Sequence, residues 1–387
     1  MLKYPCRKVV SKMRVAIVAP EQIPVPPLLG GSVEICIYAI AKRLADRHAV
    51  TVISRKHPKY QSVSQEGNLT IRRVQGKSYL EAVLKELRTR PFDLIQVDNR
   101  PKFAAVIKDQ LPHIPVSLYL HSLTYVPSSA RPEEGNCILS KPDILIVNSI
   151  SLKQELVQRC PLLYPKIEKV ALGADLSRFR QPSFHEQQEI RKVYGLESTC
   201  NVLFVGRLIP RKGIPVFLQA IRLARQVIPD LHAVIIGGAL KSGYQSFLRK
   251  LAAQLCVPAT FLGVKPHREL HRLYWLGDCL ICPSQEHEAF GLVNVEAMAS
   301  GLPVIASANG GIQEVIRHQR TGFLVQDYHK PEVFAKYIRL LYHHPAAALR
   351  IRNEAKRMVN RKYGWENVSF KLSRLYEERL QRGEVEV

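Results

Sequence analysis

Two doubly wound α/β domains facing each other across a cleft is the fold class this sequence predicts. Three observations carry the prediction. The chain has 387 residues, too many for one ordinary core. Apolar runs of strand length alternate with amphipathic stretches of helix length. The alternation begins at Met13 and begins again near residue 199, so the pattern is written twice.

The first half opens with a strand at Val15 to Ala19. A Pro-rich loop, Pro20 to Leu29, ends in Gly30-Gly31. Ser32 then suits the cap of a helix running to about Arg47. Val50 to Ser54, Leu94 to Val97, Val116 to Leu120 and Ile144 to Val147 read as further strands. Their unbroken apolar character suits strands buried on both faces of a parallel sheet. The second half starts with a strand at Val202 to Val205, then a loop from Gly206 to Gly213 and a helix over Val216 to Gln226. Strands follow at Ala233 to Ile236, Leu280 to Cys282, Val304 to Ala306 and Phe323 to Val325. The organisation expected is a basic extension at 1–12, a Rossmann-like domain at 13–180 and a polar connection at 181–198. A second Rossmann-like domain at 199–362 and a last helix at 363–387 complete it.

Lys and Arg number 56 against 33 acids, a net charge of +23. An anionic partner is the functional reading: nucleic acid, an anionic membrane surface or a phosphate-bearing substrate. Solvated basic faces are the bland one. The basic residues are dispersed, with no basic arm and no nucleic-acid motif, which disfavours nucleic acid. No run of eighteen apolar residues exists to span a membrane. The first twelve residues lack the apolar stretch of a signal peptide, so the expected location is cytoplasmic. Eight scattered Cys fit reduced thiols. Cys279 and Cys282 form one C-x-x-C inside a strand-like run, where a buried structural pair competes with metal or redox use.

In doubly wound sheets, ligands bind at the carboxyl ends of strands. The densest motif there is Ser284 to Gly301, SQEHEAFGLVNVEAMASG. A helix must begin near Gly291, and Gly301 is a good stop. Glu296 sits inside that helix, and a buried carboxylate needs a partner. A local cation or an exposed face is the plain reading. A carboxylate accepting hydrogen bonds from ligand hydroxyls is the functional one. Glu288 lies eight residues earlier. The amides of Phe290, Gly291 and Leu292 would form a helix N-terminus suited to an anion. Arg207 and Lys212, in VGRLIPRKG after a strand and a glycine turn, suit phosphate oxygens. His121 follows the strand VSLYL, and without further context a capping or core histidine competes with a functional one.

The pair Glu288 and Glu296, with AFGL between them and EAMASGLPVIAS and NGGIQEVI after them, resembles the E-x7-E region of retaining GT-B glycosyltransferases. The family is glycosyltransferase 4. The resemblance runs from Met13 to about Leu380. It includes Gly30-Gly31, GADLSRF at Gly173 to Phe179, the loop Asn309-Gly310-Gly311 with Glu314, and YGWE at Tyr363 to Glu366. Ser122 stands where many members carry an acid beside the histidine, Leu172 where an Asn is usual, and Gln313 where a Pro is common.

The resemblance implies a GT-B fold whose C-terminal helix crosses back to the first domain. It implies transfer of a hexosyl-type unit, with retention, from a UDP-, GDP- or ADP-linked sugar to a hydroxyl-bearing glycan, lipid or small molecule. Arg207, Lys212 and the Phe290–Leu292 amides would hold the diphosphate, with Gly30-Gly31 close to the donor. Glu288 would contact the sugar, Glu296 the ribose, and His121 the sugar from the opposite domain. No D-x-D occurs, so neither a metal nor a cofactor is expected. Peripheral contact with an anionic membrane, and a place in bacterial envelope, polysaccharide or spore-coat glycan synthesis, are further expectations. The alternative is a structural or binding protein of a surface assembly, such as a spore coat, built on the same scaffold.

Overall fold

The computed structural model describes residues 12–127, 132–239 and 242–383. The expected basic extension, apart from Lys12, lies outside them. Two sheets organise the chain. The first has eight strands: β1 Arg14–Val18, β2 Ala49–Arg55, β3 Val63–Glu66, β4 Leu69–Val74, β5 Leu94–Asp98, β6 Val116–Leu120, β7 Ile144–Val147 and β8 Ile167–Lys169. Their order is β3-β4-β2-β1-β5-β6-β7-β8. The second has six: β9 Cys200–Val205, β10 Leu231–Ile236, β11 Ala259–Gly263, β12 Cys279–Cys282, β13 Val304–Ser307 and β14 Phe323–Val325. Their order is β11-β10-β9-β12-β13-β14.

Both sheets are doubly wound, with β1 between β2 and β5, and β9 between β10 and β12. Every pairing is parallel except β3 with β4. The central strands β5, β6 and β7 are buried along their whole length, as their apolar runs require. Helices cover both faces. The switch in strand order places the carboxyl ends of β1 and β5, and of β9 and β12, at the sites where ligands bind.

Three local expectations are corrected. The first helix runs Ser32–Leu44, not to Arg47, and its N-cap is Gly31; Ser32 is the first helical residue and does not cap. Gly31 takes a left-handed conformation, φ 95°, that spares it the Cβ penalty of other residues. The antiparallel pair β3–β4 was not foreseen, because VSQE is a polar, mostly exposed edge strand with no hydrophobic alternation. The polar stretch 181–198 contains a helix, Phe184–Tyr194, closed by a capping box between Ser183 and Glu186. That helix is fastened to the second domain by Arg191 to Asp278 (2.8 Å) and Gln187 to the Trp275 carbonyl (3.1 Å).

The last helix, Trp365–Gly383, leaves the second domain and packs on the first. Tyr376 is fully buried there, and its hydroxyl donates to Gln96 Oε1 of β5 at 2.7 Å. His48 Nε2 meets Ser373 Oγ at 2.7 Å, and Arg43 pairs with Glu366 at 2.8 Å.

Candidate active site

The second-domain wall is built by three loops. The loop after β9 carries Arg207, Arg211 and Lys212; the loop after β12 carries Ser284 to Gly291; and the loop after β13 carries Asn309-Gly310-Gly311. They interlock because glycine allows it. A Cβ on Gly213 would lie 1.9 Å from the Pro283 carbonyl oxygen, and one on Gly310 would lie 2.2 Å from that of Glu288. Side chains at those positions would force the loops apart. The Gly311 amide donates to the Glu288 carbonyl at 2.8 Å, and Asn309 Nδ2 to the Ser284 carbonyl at 2.8 Å.

This packing brings Lys212 Nζ onto Glu288 Oε2, with each side chain only 18% exposed. Ser284 Oγ donates to the same oxygen at 3.2 Å. Burial alone would push the Glu288 carboxyl up. The Lys212 ammonium, Arg211 and the Ser284 hydroxyl more than offset it and hold Glu288 below the usual carboxylate range. Arg207 is exposed, in the field of Arg211 and Glu288. Three cations therefore surround one carboxylate beside the start of a helix.

That helix is Leu292–Ala299, with Gly291 at its N-cap in a left-handed conformation, φ 82°, and no side chain capping it. Phe290 is buried just before it. Glu296 is 3% exposed. Its partners are neither Lys nor Arg. Tyr274 donates its hydroxyl to Oε2 at 2.8 Å, and His267 Nε2 lies 3.0 Å from Oε1. Burial and the neighbouring Glu296 carboxylate drive the Tyr274 phenol well above its usual range, so it remains a donor.

On the first-domain wall, His121 follows β6. Its ring stacks on Tyr119 at 4.9 Å, and Nε2 meets Asp98 Oδ1 at 2.8 Å. The backbone of His121 is held by Asn99 and Asn148. Ser122 provides no acid, but Asp98 at the end of β5 does. Gly30 and Gly31 precede the first helix, and Glu34 in its first turn is buried. Burial raises the Glu34 carboxyl, with His121 and Arg100 pulling the other way. Among the described residues, no hydrogen bond or ion pair joins His121 to the second domain.

The two walls are tied at the cleft's edge. Glu314 Oε1 accepts the Ile150 and Ser151 amides at 2.6 and 3.1 Å, capping a first-domain helix from across the cleft. Its Oε2 takes Lys169 at 2.5 Å. His287 Nε2 meets Ser151 Oγ at 2.9 Å. Asp98, Tyr274, His267, Arg211 and His287 were not singled out from sequence. Arg211 and His287 stood inside the two motifs already quoted and Asp98 was an acid ending a strand, while Tyr274 and His267 carried no local signal. Cys279 and Cys282 lie in separate core clusters on opposite sides of the second sheet, which fits buried structural thiols.

Comparison with known proteins agrees with this architecture. Residues 186–358 match the family model for glycosyl transferases group 1, and residues 30–178 that for Glycosyltransferase Family 4. Spore coat protein SA of Bacillus subtilis is 32% identical, over 94% of this chain and 99% of that one. The lipopolysaccharide 1,2-N-acetylglucosaminetransferase of Salmonella typhimurium is 26% identical, over 89% and 93%. Anabaena HepE in complex with UDP-glucose superposes with a TM-score of 0.81 at 20% identity, covering 95% of this chain and all of that one. The doubly wound pair of sheets, the E-x7-E loop and helix, and a full-length relative at 32% identity make this chain a GT-B glycosyltransferase of the group 1, family 4 type.

Proposed function

We propose that the protein transfers a hexosyl unit, with retention, from a nucleoside diphosphate sugar to a hydroxyl of a glycan, lipid or small-molecule acceptor in bacterial glycan synthesis. The observation that carries the reading is the Lys212–Glu288 pair beside Arg207, Arg211 and an uncapped helix N-terminus. Cations and helix amides there suit a diphosphate leaving group. In the reaction the anomeric C–O bond to the diphosphate breaks, the acceptor oxygen bonds the anomeric carbon, and the acceptor proton leaves with the nucleoside diphosphate. Arg207, Lys212 and the Phe290–Leu292 amides take the diphosphate charge. Glu288 contacts the sugar ring and Glu296 the ribose hydroxyls. His121 contacts the sugar from the other wall, with Gly30-Gly31 beside it. These cations and amides supply the neutralisation without a divalent ion. UDP-hexoses are the first donors to try, since HepE binds UDP-glucose.

The similarity to Spore coat protein SA favours one second reading, a place in a spore coat. A coat scaffold without turnover has no use for a neutralised carboxylate among cations. No helix among the described residues is long and apolar enough to cross a membrane, and docking on an anionic membrane is the proposed route to a lipid-linked acceptor.

The test is release of nucleoside diphosphate from UDP-, GDP- and ADP-sugars without acceptor, with and without excess chelator. One donor class should be hydrolysed in both conditions, and Glu288→Ala should abolish it. No turnover with any donor would overturn the enzymatic reading. Loss of activity in chelator, restored by magnesium, would overturn the metal-independent one.

A further inference from the structure

The C-terminal helix does more than pack on the first domain. Its Tyr376 hydroxyl donates to Gln96 Oε1 at 2.7 Å. Gln96 Nε2 donates to Asp98 Oδ2 at 2.7 Å, and Asp98 Oδ1 meets His121 Nε2 at 2.8 Å. Gln96, Asp98 and Tyr376 are wholly buried, and His121 is 8% exposed. The link from Tyr376 to Gln96 spans 280 residues of sequence. We propose that Tyr376 and Gln96 are positioning residues that fix the ring orientation and tautomer of His121 through Asp98.

The chemistry of each group sets the direction of the chain. Burial drives the Tyr376 phenol far above its usual range, with the Ser117 hydroxyl opposing and the Asp98 carboxylate adding to the rise, so it serves as donor. That orients the Gln96 amide, oxygen toward Tyr376 and nitrogen toward Asp98. A carboxylate only accepts, so Asp98 takes the Gln96 N–H on one oxygen and the His121 Nε2–H on the other. His121 Nδ1 is then the bare nitrogen, free to accept from a hydroxyl. Without the Gln96 bond the Asp98 carboxylate could rotate, and the histidine would lose its fixed partner. Such outer partners select the tautomer of a functional histidine.

The inference rests on reading His121 as the residue that meets the donor sugar, and its test is separable from that reading. Histidine labelled with nitrogen-15 in the full-length protein reports the tautomer at about pH 8.5, above the ordinary imidazole range; His121→Gln identifies the signal. Wild-type protein should show a protonated Nε2 and a bare Nδ1. Tyr376→Phe keeps the ring and its packing, and should shift the His121 signal toward a mixed tautomer. It should also lower turnover about two- to tenfold, the range for one neutral hydrogen bond, with unchanged affinity for the nucleoside diphosphate. Gln96→Leu should do both more strongly. Leu372→Ala, which loosens the same helix, should lower Tm and leave the tautomer alone. An unchanged His121 signal in Tyr376→Phe and Gln96→Leu overturns the relay, as does an equal shift in Leu372→Ala. A shifted signal with no effect on turnover keeps the relay but removes the sugar contact from His121.

Discussion

Replacing Lys212 by Met strips the cation from a buried carboxylate and leaves its volume nearly filled. Glu288 then has two options in the folded state. It can stay charged without a counterion, a loss that commonly costs about 3–5 kcal/mol. It can instead take a proton, and that route caps the cost. Keeping a carboxyl of ordinary value, about 4.3, protonated at pH 7 costs about 3.7 kcal/mol. With both side chains 18% exposed, Lys212→Met should destabilise the protein by about 2–4 kcal/mol at pH 7. The sign with pH follows. In wild-type protein Glu288 is held below its ordinary range, so it adds stability above about pH 4.3 that is lost as pH falls. In the variant the shift is upward, so its penalty shrinks as pH falls toward that value. The gap between the two should narrow by up to about 2 kcal/mol between about pH 7 and 5.5, at about 1.36 kcal/mol per unit. Urea unfolding of wild type, Lys212→Met, Glu288→Gln and the double variant forms the cycle. The double variant should recover most of the loss, because the orphan charge is gone. Strictly additive single costs, or a gap that does not move with pH, would refute the description of Glu288 as a carboxylate neutralised by Lys212.

Glu296→Ala removes the acceptor shared by Tyr274 and His267 and should weaken UDP binding by about 1–3 kcal/mol; unchanged affinity by calorimetry in a folded variant would remove the ribose role. Burial lowers the His48 imidazole below its ordinary value, with the Glu377 carboxylate opposing. His48 therefore favours the fold when neutral, and its contribution should fade as pH drops below about 6.5. Wild-type Tm should fall between about pH 6.5 and 5 more steeply than that of His48→Gln, and parallel curves would dismiss the effect. Glu314→Ala deletes a cap on two amides and an ion pair across the cleft; it should open the domains and enlarge the radius of gyration in solution scattering, and an unaltered profile would deny the latch.

Legibility followed locality. Arg207 and Lys212 share one loop with a glycine turn, and Glu288 and Glu296 sit eight residues apart around a helix start, so short local motifs, together with the family resemblance they carry, suggested them. The partners of those residues come from elsewhere in the chain. Tyr274 and His267 reach Glu296 from 22 and 29 residues away. Asp98 reaches His121 from a neighbouring strand, where β5 and β6 run side by side. Parallel pairing of that kind leaves no mark in a linear pattern. The polar composition of 181–198 hid a helix because its capping box uses the same Ser and Glu that a loop would carry. The central strands were legible since burial on both faces demands an apolar run, and β3, β4, β8 and β11 escaped because strands at or next to a sheet edge are only partly buried and need none.

The bond between Tyr376 and Gln96 also sets a timetable. The two residues are 280 positions apart, so at about 5–20 residues per second the ribosome adds Tyr376 roughly 14–56 s after Gln96. Through that interval Gln96 and Ser117, which the Tyr376 hydroxyl meets at 2.7 and 3.4 Å in the finished protein, lack their phenol partner, and the face of the first domain that receives residues 365–383 is bare. The nascent first domain must wait, half-dressed, for a helix made much later, and a stall or truncation before Tyr376 leaves Gln96 that way.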